Sequence, residues 1–131
     1  PLDLTTARAF SDPPINTARV AKKGKSISVQ GGSTWPLTAE QARLPDGEYD
    51  IGIRPHHVTT KKEAAVTGAV KGRVLVTEIS GSESIIHVDT GGRTWVSQSH
   101  GVHPHKVGEQ ATLHADVAHA LFFNEQGKLV A

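Results

Sequence analysis

A chain of 131 residues has room for one ordinary domain or two small modules on a common core, and 37% hydrophobic with 21% charged residues suits a globular protein. The formal charge of +1, from 14 basic and 13 acidic residues mixed along the chain, leaves no basic stripe for binding nucleic acid by counterion release. The absence of cysteine excludes a disulfide framework, a thiolate zinc site and a cysteine nucleophile.

The dominant period along the chain is two. "INTARVAKKGKSISVQ" (15–30) predicts two strands around a Lys-Lys-Gly-Lys turn, with Ile27 and Val29 on one face of the second. "QGGSTW" supplies a turn at Gly31-Gly32 and leads into a short strand through Trp35 and Leu37. "TAEQARL" (38–44) is the best helical stretch, with Thr38 as cap, Gln41 three residues on and Pro45 as terminator. A Pro-Asp-Gly turn then feeds "DIGIRPHHVTT" (50–60), in which Ile51 and Ile53 alternate until Pro55 removes a backbone donor and restricts Arg54 to extended geometry.

"VTGAVKGRVLVTEIS" (66–80) sets Val66, Val70, Val74 and Val76 on one face, with Gly68 and Gly72 between them. Such a strand is too long to stay flat on a small core, so the glycines are expected to bend it. "SESIIHVDTGGRTWVSQS" predicts a hairpin closed by Gly91-Gly92, "GEQATLHADV" a further strand, and "HALFFNEQGKLVA" a last hairpin around Asn124–Gly127. Many short strands with one brief helix predict an all-β fold of two small OB-like barrels. The order of elements in 15–55 repeats loosely in 66–123 (long strand, hairpin, connection, closing strand), which leaves open where the two exchange strands. The expected division is a tail over 1–14, a first module over 15–62 and a second over 63–131.

The longest apolar runs, such as "ALFF" (120–123), fall far short of the roughly 20 residues that cross a bilayer. No charged-then-apolar leader is visible, and a chain that starts at Pro1 and lacks methionine is expected to be part of something longer.

Histidines are the obvious candidates for chemistry. "HGVHPH" places His100, His103 and His105 together, but with Pro104, two nearby glycines and no acidic residue it reads as a solvated loop. His87, His114 and His119 read as half-buried or surface residues. No serine stands in a Gly-x-Ser-x-Gly elbow; "SGSES" (80–84) reads as a hairpin in which Gly81 makes the turn. No paired carboxylates suggest glycoside chemistry, and "GKS" (24–26) lacks the upstream glycine of a phosphate-binding loop, because position 19 is Arg19. The chain is expected to be no enzyme and to hold no metal or cofactor. An OB-type module that binds a small ligand or oxyanion is the alternative, with the amides of Gly31-Gly32 and Gly91-Gly92 as candidate nests. Single-stranded nucleic acid lacks a stacking platform, since only six Phe, Tyr and Trp residues exist.

Three stretches in register carry a resemblance. "TARAFSDPPIN" (6–16) resembles the segment that leaves the nucleotide-binding domain of ABC importer ATPases of the sugar and glycerol-phosphate type. "IGIRPHHV" (51–58) is similar to that family's Gly-Ile-Arg-Pro-Glu-His strand end, with His56 where glutamate is usual and His57 matching the usual histidine. "VTEISGSESIIHVDTGG" (76–92) resembles the Glu-x-x-Gly-Ser-Glu segment of its C-terminal, transport-associated OB region. The resemblance implies a non-catalytic regulatory and dimer-contact region, cut free of an ATPase domain to which ATP and magnesium belong. It implies as partners that ATPase domain, a second ATPase subunit, the permease subunits and, in some members, a regulatory protein or small ligand. It implies a place in the cytoplasm, peripheral to the inner face of the plasma membrane. Arg54, Pro55 and His57 at a barrel rim, and Gly81, Ser82 and Glu83 at a hairpin tip, are the residues expected to touch a partner or the other barrel.

Overall fold

The structure, a computed structural model, describes residues 3–5, 14–30, 33–101 and 105–131. Its strands are β1 (Asn16–Lys23), β2 (Ser26–Val29), β3 (Ser33–Pro36), β4 (Gly47–Ile53), β5 (Val58–Thr59), β6 (Thr67–Ser80), β7 (Glu83–Asp89), β8 (Thr94–His100), β9 (Gln110–Asp116) and β10 (Leu121–Phe123). They form two five-stranded sheets, β10-β4-β1-β2-β3 and β5-β9-β6-β7-β8, and every pairing between strands is antiparallel.

The two sheets have the same plan. A long strand (β1 or β6) pairs with a hairpin on one side and with a return strand (β4 or β9) on the other. After each return strand the chain makes a 3-10 turn, Pro55–His57 or Val117–His119, and crosses into the other sheet. β5 thereby completes the second sheet and β10 the first, a reciprocal exchange of fifth strands.

The all-β expectation holds. The second sheet is a nearly closed barrel: the Ser97 hydroxyl donates to the Val58 carbonyl at 2.6 Å, and the Thr60 amide donates to the Ser99 hydroxyl at 3.3 Å. Side chains of β8 thus bridge to the β5 edge where no backbone ladder forms. The first sheet stays open, and its β3 edge lies against β6, where the Trp35 indole donates to the Ala69 carbonyl at 3.0 Å.

One apolar core runs through both sheets, including Ile27, Trp35, Ile51, Ile53, Val74, Ile86, Leu113 and Phe122. Trp35 and Trp95 meet edge to face at 6.0 Å and 83°. Each indole donates to the backbone of the opposite sheet, Trp35 to β6 and Trp95 to Thr17 of β1 at 3.1 Å. Buried aromatic N–H groups require partners, and these two also lock the sheets together. Asn16 adds a third lock. Its side chain accepts from the Val96 amide at 2.7 Å and donates to the Val96 carbonyl at 2.8 Å, filling a buried backbone gap on β8.

Two local expectations need correction. The helix expected over 38–44 is a single 3-10 turn, Gln41–Arg43. Its capping box does form, with the Thr38 amide bonded to the Gln41 side chain at 3.1 Å and the Gln41 amide to the Thr38 hydroxyl at 3.2 Å. Leu44 is already extended before Pro45, so the turn never propagates. Val76 also leaves the face assigned to it. A bulge between Val74 and Val76 adds one residue to β6, so Val74 is buried while Leu75 and Val76 are exposed. The register shift falls there, and β6 pairs with β9 without a shift through Gly68 and Gly72. Gly68 instead makes room for Trp35, whose ring would lie 2.1 Å from a Cβ at that position.

Candidate functional site

The strand end at 50–57 becomes the first crossover. β4 stops at Ile53, Pro55 opens the 3-10 turn, and the His57 amide closes it on the Arg54 carbonyl at 2.9 Å. Pro55 is buried under the turn, whereas Arg54 and His56 are exposed. His57 is half-buried, and its ring stacks on that of His119 at 4.0 Å and 9°, with His56 tilted against it at 4.1 Å. His57 and His119 are the last residues of the two 3-10 turns, so the repeat brings equivalent positions face to face.

Asp116, at the end of β9, holds the His119 ring through a 2.7 Å contact to Nδ1. Burial holds the His57 pKa below the ordinary imidazole value; the neighbouring His56 and His119 push the same way and Asp116 opposes them. A cavity of about 200 Å³ opens beside this cluster, lined in part by His56, Glu63, His114 and Asp116. Sequence reading treated His119 as an ordinary surface residue and missed Asp116. The available signal was the equivalence of 55–57 and 117–119 within the repeat.

Gly81, Ser82 and Glu83 lie elsewhere, at the tip of the β6–β7 ribbon. Gly81 has φ +62° at the first position of a two-residue turn, which a type II′ hairpin requires. The Ser82 carbonyl accepts from the Gly101 amide, and the Glu83 carboxylate accepts from the Gln98 side chain across the ribbon. Ser82 is thus a turn residue whose main chain is used. Along the same ribbon Leu75, Val76 and Ile79 are 42%, 45% and 64% exposed.

Of the glycine nests, Gly31-Gly32 lies outside the described residues, as do His103, Pro104 and all of 6–13. At the other, the Asp89 carboxylate already accepts from the amides of Gly91 at 2.9 Å and Gly92 at 3.4 Å, which lowers its pKa. An anion arriving there would have to displace a carboxylate of the protein itself. A larger cleft of about 440 Å³ lies between β3 and the β6 and β8 strands, with Lys71, Arg93, Ser33 and Thr34 on its wall. No acidic side chain among the described residues lines it, and Arg93 donates to the Thr17 hydroxyl at 3.1 Å. No helix among the described residues is long and apolar enough to cross a membrane.

Comparison with known proteins agrees with this architecture. Among solved structures the chain is similar to ModG, a cytoplasmic molybdate-binding protein, in its molybdate-bound form: TM-score 0.59 and 18% identity over 82% of this chain and 94% of that one. At that identity the likeness concerns the fold. No functionally characterised protein matches by sequence. The model of the TOBE domain, a non-catalytic module, matches residues 51–123, from within β4 to the end of β10. That stretch covers more than half of the sequence and includes both crossovers, and the chain belongs to the TOBE-domain family.

Proposed function

We propose that the chain is the non-catalytic regulatory and dimer-contact region of an ABC importer's ATP-binding subunit, serving uptake of a carbohydrate or related solute at the inner face of the membrane. The observation that carries this reading is the β6–β7 ribbon, which presents Leu75, Val76 and Ile79 to solvent beyond the bulge. Soluble proteins rarely leave a run of large apolar side chains on one ribbon unless another protein covers it. The proposed cover is a second copy of the subunit, with Gly81, Ser82 and Glu83 at the rim of that contact. Arg54, Pro55 and His57 act within the chain, at the crossover between sheets. The three stretches that resemble importer ATPases support the assignment, and the TOBE match spans two of them. The test joins the chain to the residues encoded upstream of Pro1. That longer protein is expected to hydrolyse ATP and to self-associate, with Ile79→Asp weakening association in light scattering. ATP hydrolysis by residues 1–131 alone would sink the reading.

A second reading has its own observation. The cleft bearing Lys71 and Arg93, two cations with hydroxyl donors and no carboxylate, has the chemistry of a small-oxyanion site, and ModG, of similar fold, binds molybdate. Titration with molybdate and sulfate is expected to show saturable binding lost in the double variant Lys71→Ala, Arg93→Ala. Silence from both anions leaves the contact module.

A further inference from the structure

We propose a divalent-metal site of the zinc class formed by His57, Asp116 and His119, which clips the two crossovers together. It goes beyond the contact-module reading and does not depend on it. One ligand-type atom from each of the three residues lies within 4.8 Å of the others. A tetrahedral zinc ion with nitrogen and oxygen ligands at about 2.0–2.2 Å needs its donors roughly 3.3 Å apart, so the side chains must rotate to close the gap. His119 is exposed and free to make most of that adjustment, turning its ring out of the parallel stack so that its lone pair converges with that of His57.

Two features separate this cluster from a chance gathering of surface histidines. Asp116 is already bonded to His119, so a carboxylate is in place either to bind the ion or to orient the imidazole. The adjoining cavity, lined in part by His56, His114 and Glu63, leaves room for a water in the fourth position. Two imidazoles and a carboxylate suit zinc and its first-row neighbours rather than calcium or magnesium. His57 lies on the crossing from the first sheet to the second, and Asp116 and His119 on the crossing back. A metal there ties both exchanged strands at one point.

The experiment titrates zinc into the metal-stripped full chain, followed by calorimetry, and cobalt(II), followed by its visible absorption. One equivalent is expected to bind, with an absorption band typical of tetrahedral coordination and a higher unfolding midpoint. His57→Ala, Asp116→Asn and His119→Gln should each weaken binding by about tenfold or more, as losing a ligand or its orienting partner does. His119→Gln is at an exposed position and is expected to keep the circular dichroism of the parent, so a folding defect in another variant leaves the test intact. The double variant His100→Ala, His105→Ala should bind normally. Absence of one-equivalent binding, unchanged affinity in His119→Gln, or loss of binding in the His100, His105 variant overturns the proposal.

Discussion

Gly68 and Asn16 show how single residues join the two sheets. A methyl group at Gly68 would meet the Trp35 ring at 2.1 Å, and that ring is pinned from its edge by Trp95 and through its N–H by Ala69. Gly68→Ala is therefore expected to destabilise by about 1–3 kcal/mol, the usual cost of overpacking a filled core, and to change the tryptophan fluorescence. Denaturant unfolding measures the first and an emission spectrum the second. Asn16→Ala leaves the buried amide and carbonyl of Val96 without partners. At about 1–3 kcal/mol for each orphaned group, the loss should exceed that of Gly68→Ala in the same assay. Neither role was legible beforehand. The sequence marks Gly68 as a bend and Asn16 only as a strand residue at the end of the 6–16 stretch, because both partners lie far along the chain.

His57 gives the residue-scale dependence on pH. Its pKa is lowered in the fold, by burial first and then by His56 and His119, with Arg54 adding to them and Asp116 opposing. Between the lowered value and about 6.5 the unfolded chain binds the proton more readily, so stability is complete above that window and falls as pH drops through it. Asp46 and Asp89 shift in a separate window. Both carboxyls are lowered, chiefly by backbone amides, so what they add is present above about pH 4 and lost below it. Thermal unfolding with a chelator present should show the upper step, and His57→Gln should flatten it. A step that is unchanged in His57→Gln contradicts the assignment.

Among the elements, the hairpins were the most legible and the closure of the barrel the least. β1–β2, β7–β8 and the C-terminal hairpin around Asn124–Gly127 form where turn residues and alternation placed them, because a hairpin is local physics. The turn at 38–44 kept its cap and lost its helix because Leu44 is held extended before Pro45. The Gln41 side chain also donates to the Val117 carbonyl at 2.7 Å, which fixes the turn against the second crossover. Closure of the second sheet rests on Ser97 and Ser99, which a period-two reading treats as ordinary strand residues. Ser97→Ala is expected to cost about 1 kcal/mol and to raise amide exchange at Val58 and Thr59 more than elsewhere. Uniform exchange across both sheets would show that the β5 edge is held by other means.

For the molecule as a whole, the exchange of fifth strands means that neither sheet is complete without residues from the other half. A single cooperative unfolding transition is expected, measured by coincident fluorescence and circular dichroism curves. The wholesale loss of one sheet at lower denaturant would contradict it. The all-β class, most strand positions, the hairpin turns and the loose duplication are legible in the residue pattern. Each follows from alternation, turn chemistry and capping acting over a few residues. Which strands close which sheet, where β6 bulges, and the meeting of His57, Asp116 and His119 emerge only in the folded molecule. Those outcomes depend on packing between residues far apart in the chain, through the Trp35–Trp95 contact, the Asn16–Val96 lock and two crossovers lying side by side, and no local period encodes them.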